Sequence, residues 1–162
     1  MMDIRLARID DRLVHGQVAT TWTKITGISR ILVVSDEVAN SDLRKFLLMQ
    51  AAPPEVKTNV LTVDKLLQIS DHTLLSNVKV MLLFTNPCDV ARLVKAGIKI
   101  DTVNIGGMKF SEGKKMITNF ISVDEEDIKA FNYLASQEIE LEIRKVPSDR
   151  RISLTEVLKK AE

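Results

Sequence analysis

Two apolar runs constrain the fold more than any other feature of the sequence: Arg30-Ile31-Leu32-Val33-Val34-Ser35 and Val78-Lys79-Val80-Met81-Leu82-Leu83-Phe84. A nearly continuous apolar run of this length suits a strand covered on both faces, as strands of parallel sheets are. Between and beyond these runs the apolar spacing turns helical, at Leu43–Ala51, Asp64–Ile69 and Asp89–Ala96. Alternating strand and helix argues for parallel strands joined by crossover helices. Further strands are expected at Ile4–Ile9, Lys57–Val63, Asp101–Ile105 and Asn119–Val123, and a one-sided edge strand at Glu138–Val146. The expected fold class is therefore α/β, an open, doubly wound, mainly parallel sheet of six to seven strands.

The punctuation agrees. Thr26-Gly27 ends a helix beginning near Val18, Pro53-Pro54 stops the helix after Leu43, and Gly97 ends the one after Asp89. Asp36 or Ser41 is expected to cap the helix that includes Leu43, and Asn86-Pro87 reads as an N-cap followed by a first helical residue. Asp124-Glu125-Glu126-Asp127 places negative charge in the first turn of a helix running to about Ser136, where the helix dipole favours it. A last helix is expected from about Leu154 to Lys160. Gly106-Gly107 reads as a tight turn, and Phe110–Met116 as a hairpin or loop excursion.

With 162 residues, a single domain spanning 1–162 is the natural expectation. The net charge of +1 gives no support for bulk binding to nucleic acid or to an anionic membrane, and few aromatic residues are available for base stacking. Cys88 is the single cysteine, so no internal disulfide can form and a reducing compartment fits. No stretch is long and apolar enough to span a bilayer, and Met1-Met2-Asp3-Ile4-Arg5 lacks the apolar block of a signal peptide. A cytoplasmic protein with no direct membrane insertion is expected.

The chemistry concentrates in Arg8-Ile9-Asp10-Asp11-Arg12-Leu13-Val14-His15-Gly16-Gln17, a turn between the first strand and the first helix. In open α/β sheets ligands bind beyond the carboxyl ends of strands. His15 offers an imidazole, a nucleophile near neutral pH, and a helix N-terminus favours the neutral ring. The N–H groups of Gly16, Gln17 and Val18 are placed to receive anionic oxygens, and Gly16 lets the backbone come close. The alternative for His15 is a surface or helix-capping histidine. Arg12 presents a planar fork of donors suited to phosphate, unless it merely pairs with Asp10 or Asp11. Arg8 is a second phosphate-binding candidate that otherwise flanks the strand. One of Asp10 and Asp11 is expected to hold the non-attacking ring nitrogen or orient Arg12, with Asp10 favoured, while the other caps backbone. Thr85, Gly106 and Gly107 are candidates to complete the pocket, and Asn86 is better explained by capping. Neither Gly-x-Gly-x-x-Gly nor Gly-x4-Gly-Lys-Ser/Thr is present, which argues against direct use of a nucleotide. No cofactor is expected, and Asp10, Asp11 and His15 lack the His or Cys company of a metal site. Cys88 and Trp22 read as packing residues and His72 as solvated.

Ile9-Asp10-Asp11-Arg12-Leu13-Val14-His15-Gly16-Gln17-Val18 resembles the signature of the IIB subunit of the mannose/fructose/sorbose family of the sugar phosphotransferase system. The resemblance continues through Val34–Asn40, Ala51–Pro54, Leu83–Pro87, Val103–Met108 and Val146–Asp149, in order along nearly the whole chain. It implies helices on both faces of the sheet, an antiparallel last strand, and a first strand lying between the fourth and fifth. It also implies that His15 carries a phosphoryl group taken from a phosphorylated IIA protein or domain and passed to a sugar bound by membrane IIC/IID subunits, with Arg12 in contact with phosphate. The partners would meet a preformed, moderately apolar surface that includes Leu13, Val14 and Met108. A different class, a receiver-like domain phosphorylated on aspartate, is suggested by Asp10-Asp11, Asp64, Thr85 and Lys109 falling after successive strands. Acid-labile phosphohistidine and base-labile acyl phosphate would separate the two.

Overall fold

The structure, a computed structural model, describes residues 2–16 and 18–161. Its main sheet has seven strands in the order β3-β2-β4-β1-β5-β8-β9. These are β1 (Asp3–Asp10), β2 (Arg30–Val34), β3 (Lys57–Leu61), β4 (Lys79–Phe84), β5 (Thr102–Gly107), β8 (Glu140–Ile143) and β9 (Ile152–Ser153). All neighbouring pairs are parallel except β8 with β9. The first strand lies between the fourth and fifth, so the order of the chain across the sheet reverses beside it and a crevice opens at its carboxyl end.

Helices cover both faces. On one face α4 (Val63–Ile69), α5 (Pro87–Lys95), α6 (Glu125–Ser136) and α7 (Leu154–Ala161) bury Leu66, Leu93, Phe131 and Leu158 against Ile9, Leu82, Phe84 and Ile105. On the other, α1 (Thr23–Thr26) with the turn before it, α2 (Asp36–Ala39) and α3 (Asp42–Ala51) pack Val18, Trp22, Val38 and Leu48 on Ile31, Val33, Met81 and Leu83. The inward residues alternate along β2 and β4, and the two faces of each strand feed separate cores. Ser41 caps α3 and Asn86 caps α5 ahead of Pro87, as the sequence implies, and the acidic start of α6 does more than meet the dipole, since Asp124 with Asp127 forms a reciprocal capping box.

Four expectations need correction. Gly106 and Gly107 do not turn the chain; they finish β5, because Gly107 pairs with Asp10 of β1. The segment 119–123 does not join the main sheet. Its strand β7 (Ile121–Val123) pairs with β6 (Lys115–Thr118) in a separate hairpin. Glu138–Val146 is not an edge strand, since the two-residue β9 covers the far side of β8 and Glu142 is buried. The first helix is not regular α-helix from Val18: a π-helical turn, Val18–Trp22, precedes α1. The Thr20 hydroxyl donates to the Gly16 carbonyl and the Thr26 hydroxyl to that of Trp22, and such back-bonding competes with the regular ladder. Gly27, at φ 65°, ends α1 in the left-handed region that glycine adopts without strain. Among the described residues no helix is long and apolar enough to cross a membrane.

Candidate functional site

The turn after β1 closes with the Leu13 N–H donating to the Asp10 carbonyl at 2.8 Å. Leu13 sits at φ 59°, a conformation that costs a branched residue of order 1–2 kcal/mol, and its side chain is buried. The turn is held to β5 and the loop beyond it: the Asp11 N–H donates to the Gly107 carbonyl, and the Asp11 carboxylate accepts from the Lys109 N–H at 2.7 Å. Asp11 is thus the backbone-holding carboxylate.

Asp10 is the carboxylate at the centre. Its Oδ1 accepts from the Arg12 N–H and Nε at 3.1 Å, and its Oδ2 from Arg8 Nη2 at 3.0 Å and Arg12 Nη2 at 3.1 Å. His15 Nε2 lies 3.1 Å from the same Oδ2. Burial pushes the Asp10 carboxyl up, but the hydrogen bonds from Arg12 and His15 and the charge of Arg8 outweigh it, and the group is held below the ordinary aspartate value. An ionised carboxylate only accepts, so His15 Nε2 carries a proton, and in the neutral ring the lone pair then lies on Nδ1. The side chains of Arg12 and His15 are 55% and 25% exposed, so both reach solvent above a fully buried Asp10. The chemical capacity of this arrangement is an anion site beside a ring nucleophile of fixed tautomer.

Arg8 is not at the surface. Its side chain is completely buried, and its guanidinium donates to Asn104 Oδ1 and to the carbonyls of Arg144 and Lys145, besides Asp10. It supports the site from below and has no face to offer a phosphate. Gly106 serves Arg8: a Cβ there would meet Nη1 at 2.6 Å, with Cζ and Nη2 closer still. Gly107 lies by Asp10 and Arg12, its would-be Cβ 3.4 Å from Asp10 Oδ1 and 3.5 Å from Arg12 Nη2. Gly16 opens onto free space, and Gln17 lies outside the described residues. Thr85 follows β4 at the same sheet edge, where its hydroxyl accepts from the Asn86 amide, and Asn86 caps α5. Leu13, Val14 and Met108 are largely buried in the two cores rather than exposed. An exposed apolar side chain beside the turn is Leu47 on α3, which lines a shallow groove with Arg12, Val14 and Arg44. His72 is exposed and caps the turn at Thr73–Leu75, and burial pushes the Cys88 thiol up, as for a packing residue.

The sequence reading did not connect Asn104, Glu142, Arg144 and Trp22 with the site. Asn104 Nδ2 donates to Glu142 Oε1 at 3.2 Å, and Arg144 grips Glu142 through Nε and Nη2, both at 2.8 Å. The Trp22 ring lies under two guanidiniums, 5.1 Å from Arg8 and 5.2 Å from Arg144, and its N–H donates to the Lys145 carbonyl. The available signal was a polar residue, Asn104, inside an apolar strand.

The open, mainly parallel α/β sheet thus gathers a histidine and two arginines at the carboxyl end of its central strand. Comparison with known proteins makes this specific. Residues 4–162 match the family described as the PTS system sorbose subfamily IIB component, and the chain belongs to that family. The mannose-specific EIIAB component of Escherichia coli strain K12 is 54% identical over 159 residues, 98% of this chain and 49% of that protein; the chain thus spans about half the length of this relative. The fructose-specific EIIB component of Bacillus subtilis strain 168 is 43% identical over 159 residues, 98% of each chain. Among solved structures, the IIBSor domain of the sorbose permease from Klebsiella pneumoniae superposes with a TM-score of 0.96 at 42% identity, covering 99% of both chains. Membership of this family replaces the receiver-like alternative. Among the described residues no cluster of His, Cys, Asp and Glu could hold a metal ion.

Proposed function

We propose that residues 1–162 act as one IIB unit whose His15 is the phosphoryl acceptor. The donor is a phosphorylated IIA protein or domain, and the final acceptor is a sugar held by membrane IIC/IID subunits. The observation that carries this reading is the contact of His15 Nε2 with the ionised Asp10, which leaves Nδ1 of the neutral ring as the nucleophile on a partly exposed side chain. In the first step the donor's N–P bond breaks as Nδ1 forms a new one. Asp10 stabilises the positive charge that appears on the ring, and Arg12 draws charge from the phosphoryl oxygens. In the second step a sugar hydroxyl takes the phosphoryl group, its proton is released, and His15 returns to neutral imidazole. The backbone N–H groups of Gly16 and Gln17 receive the phosphate of the intermediate state.

The phosphorylated IIA partner meets α3 beside the turn, since any donor reaching His15 must cover that surface. No helix suited to a bilayer is found among the described residues, so we place the protein in the cytoplasm, at the membrane only through its partners. The sugar is chosen by the membrane subunits, since relatives at 54%, 43% and 44% identity carry the names of three different sugars, mannose, fructose and sorbose. The test is transfer of labelled phosphate from phosphorylated IIA. One acid-labile, base-stable phosphate per chain is expected, and none on His15→Ala. Stoichiometric labelling of His15→Ala would overturn the assignment. Uptake by the reconstituted subunits over a panel of sugars then identifies the substrate.

A further inference from the structure

Arg8, Asn104 and Glu142 stand side by side across three strands. Arg8 of β1 is in register with Asn104 of β5, and Asn104 with Glu142 of β8, so their side chains share one face of the sheet. All three are buried. Each link in the row fixes the next by donor and acceptor logic. Glu142 can only accept, and Arg144 occupies both its oxygens through Nε and Nη2. The amide of Asn104 can face Glu142 only through Nδ2, which also donates to the Arg144 carbonyl. Its Oδ1 is thereby turned to Arg8, which can only donate. Arg8 presents Nη2 to Asp10 Oδ2, the same oxygen that meets His15 Nε2. Trp22 lies against the guanidiniums at both ends of the row.

We infer that Glu142 and Asn104 are positioning residues for phosphoryl transfer: through Arg8 they fix the Asp10 carboxylate, and so the ring orientation and tautomer of His15. The inference rests on His15 as the acceptor. Neither residue touches the reacting atoms. Their effect falls on which ring nitrogen is the nucleophile, and buried residues do not alter how the donor protein docks.

The experiment uses Glu142→Gln, which keeps the shape but can turn an N–H toward Arg144 or Asn104, and Asn104→Leu, which removes both links. Each is compared with wild type by 15N NMR of the His15 ring at about pH 8, where imidazole is neutral, and by steady-state transfer from phosphorylated IIA, with rates per folded molecule. Wild type is expected to show the Nε2–H tautomer and Glu142→Gln a mixture of both, with kcat lowered about tenfold and KM changed less than about twofold. Should Asn104→Leu fail to fold, Glu142→Gln decides alone. An unchanged tautomer in Glu142→Gln, or a change confined to KM or melting temperature, overturns the inference. The ring spectrum needs no donor. If wild type takes no phosphate, the carrier reading falls while the tautomer measurement still decides the positioning role.

Discussion

Replacing Gly106 by alanine puts the buried Arg8 guanidinium to a test of sign. Backbone considerations alone favour the change, since glycine inside a strand is less stable than alanine by about 0.5–1 kcal/mol. Gly106 lies in β5 without a positive φ, so alanine meets no backbone objection. The objection is the guanidinium. The new methyl would meet Nη1 at 2.6 Å and lie closer to Cζ and Nη2, at the end of a side chain held by Asn104, Asp10 and two carbonyls. Arg8 must leave these partners, so its buried charge loses Asp10 while Asp10 keeps Arg12 and His15. Breaking a buried charge pair costs about 3–5 kcal/mol. For a chain of this size each kcal/mol lowers the melting temperature by roughly 2–4 °C, so the expected loss is about 6–20 °C. Gly16→Ala is the control, since its Cβ meets nothing within 4 Å; it should stay within about 0.5 kcal/mol of wild type. Thermal unfolding followed by circular dichroism reads the difference. In an Arg8→Ala background the same glycine substitution should cost about 1 kcal/mol or less, because nothing remains to be displaced. A Gly106→Ala protein melting at or above the wild-type temperature would refute the reasoning.

The other predictions concern charge, capping and docking. The folded value of Asp10 lies below the ordinary one, so its stabilisation is complete above the unfolded value of about 3.9 and disappears as pH falls through the folded value. The stability gap between wild type and Asp10→Asn in urea should be level above about pH 5 and narrow on acidification below about pH 4; a gap that widens there contradicts the assignment of charge. Asp124→Ala removes half the capping box of α6 and should cost about 1 kcal/mol, or roughly 2–4 °C, by calorimetry. Leu47→Asp alters an exposed side chain on α3, so stability should change by less than about 0.5 kcal/mol. Its rate of phosphate uptake from IIA should nevertheless fall, about tenfold for roughly 1.4 kcal/mol of lost docking energy, and an unchanged rate would remove α3 from the donor's path.

The parts of the molecule that were legible from sequence are those fixed by local rules. Apolar runs gave β2 and β4, Asn86-Pro87 opened α5, and Asp124 with Asp127 opened α6, because periodicity and capping act within a few residues of chain. The crowding of Arg8, Asp10, Arg12 and His15 into one turn marked the site for the same reason. What escaped was set by partners distant in sequence. Gly106-Gly107 looks like a turn until β1 is laid beside it; then Gly106 becomes the gap that Arg8 fills and Gly107 the partner of Asp10. Glu142 alternates with apolar neighbours as an exposed residue would, and only the short β9 across from it, with Asn104 and Arg144 alongside, makes a buried charge tolerable there. Residue type alone makes Arg8 a phosphate-binding or strand-flanking cation and leaves Glu142 on a one-sided edge strand, whereas strand register decides the role of both. A polar residue within an apolar strand, such as Asn104, is the one trace such a row leaves in sequence. Its buried amide must find partners across the sheet, and those partners are the first place to look for groups that hold a catalytic turn from beneath.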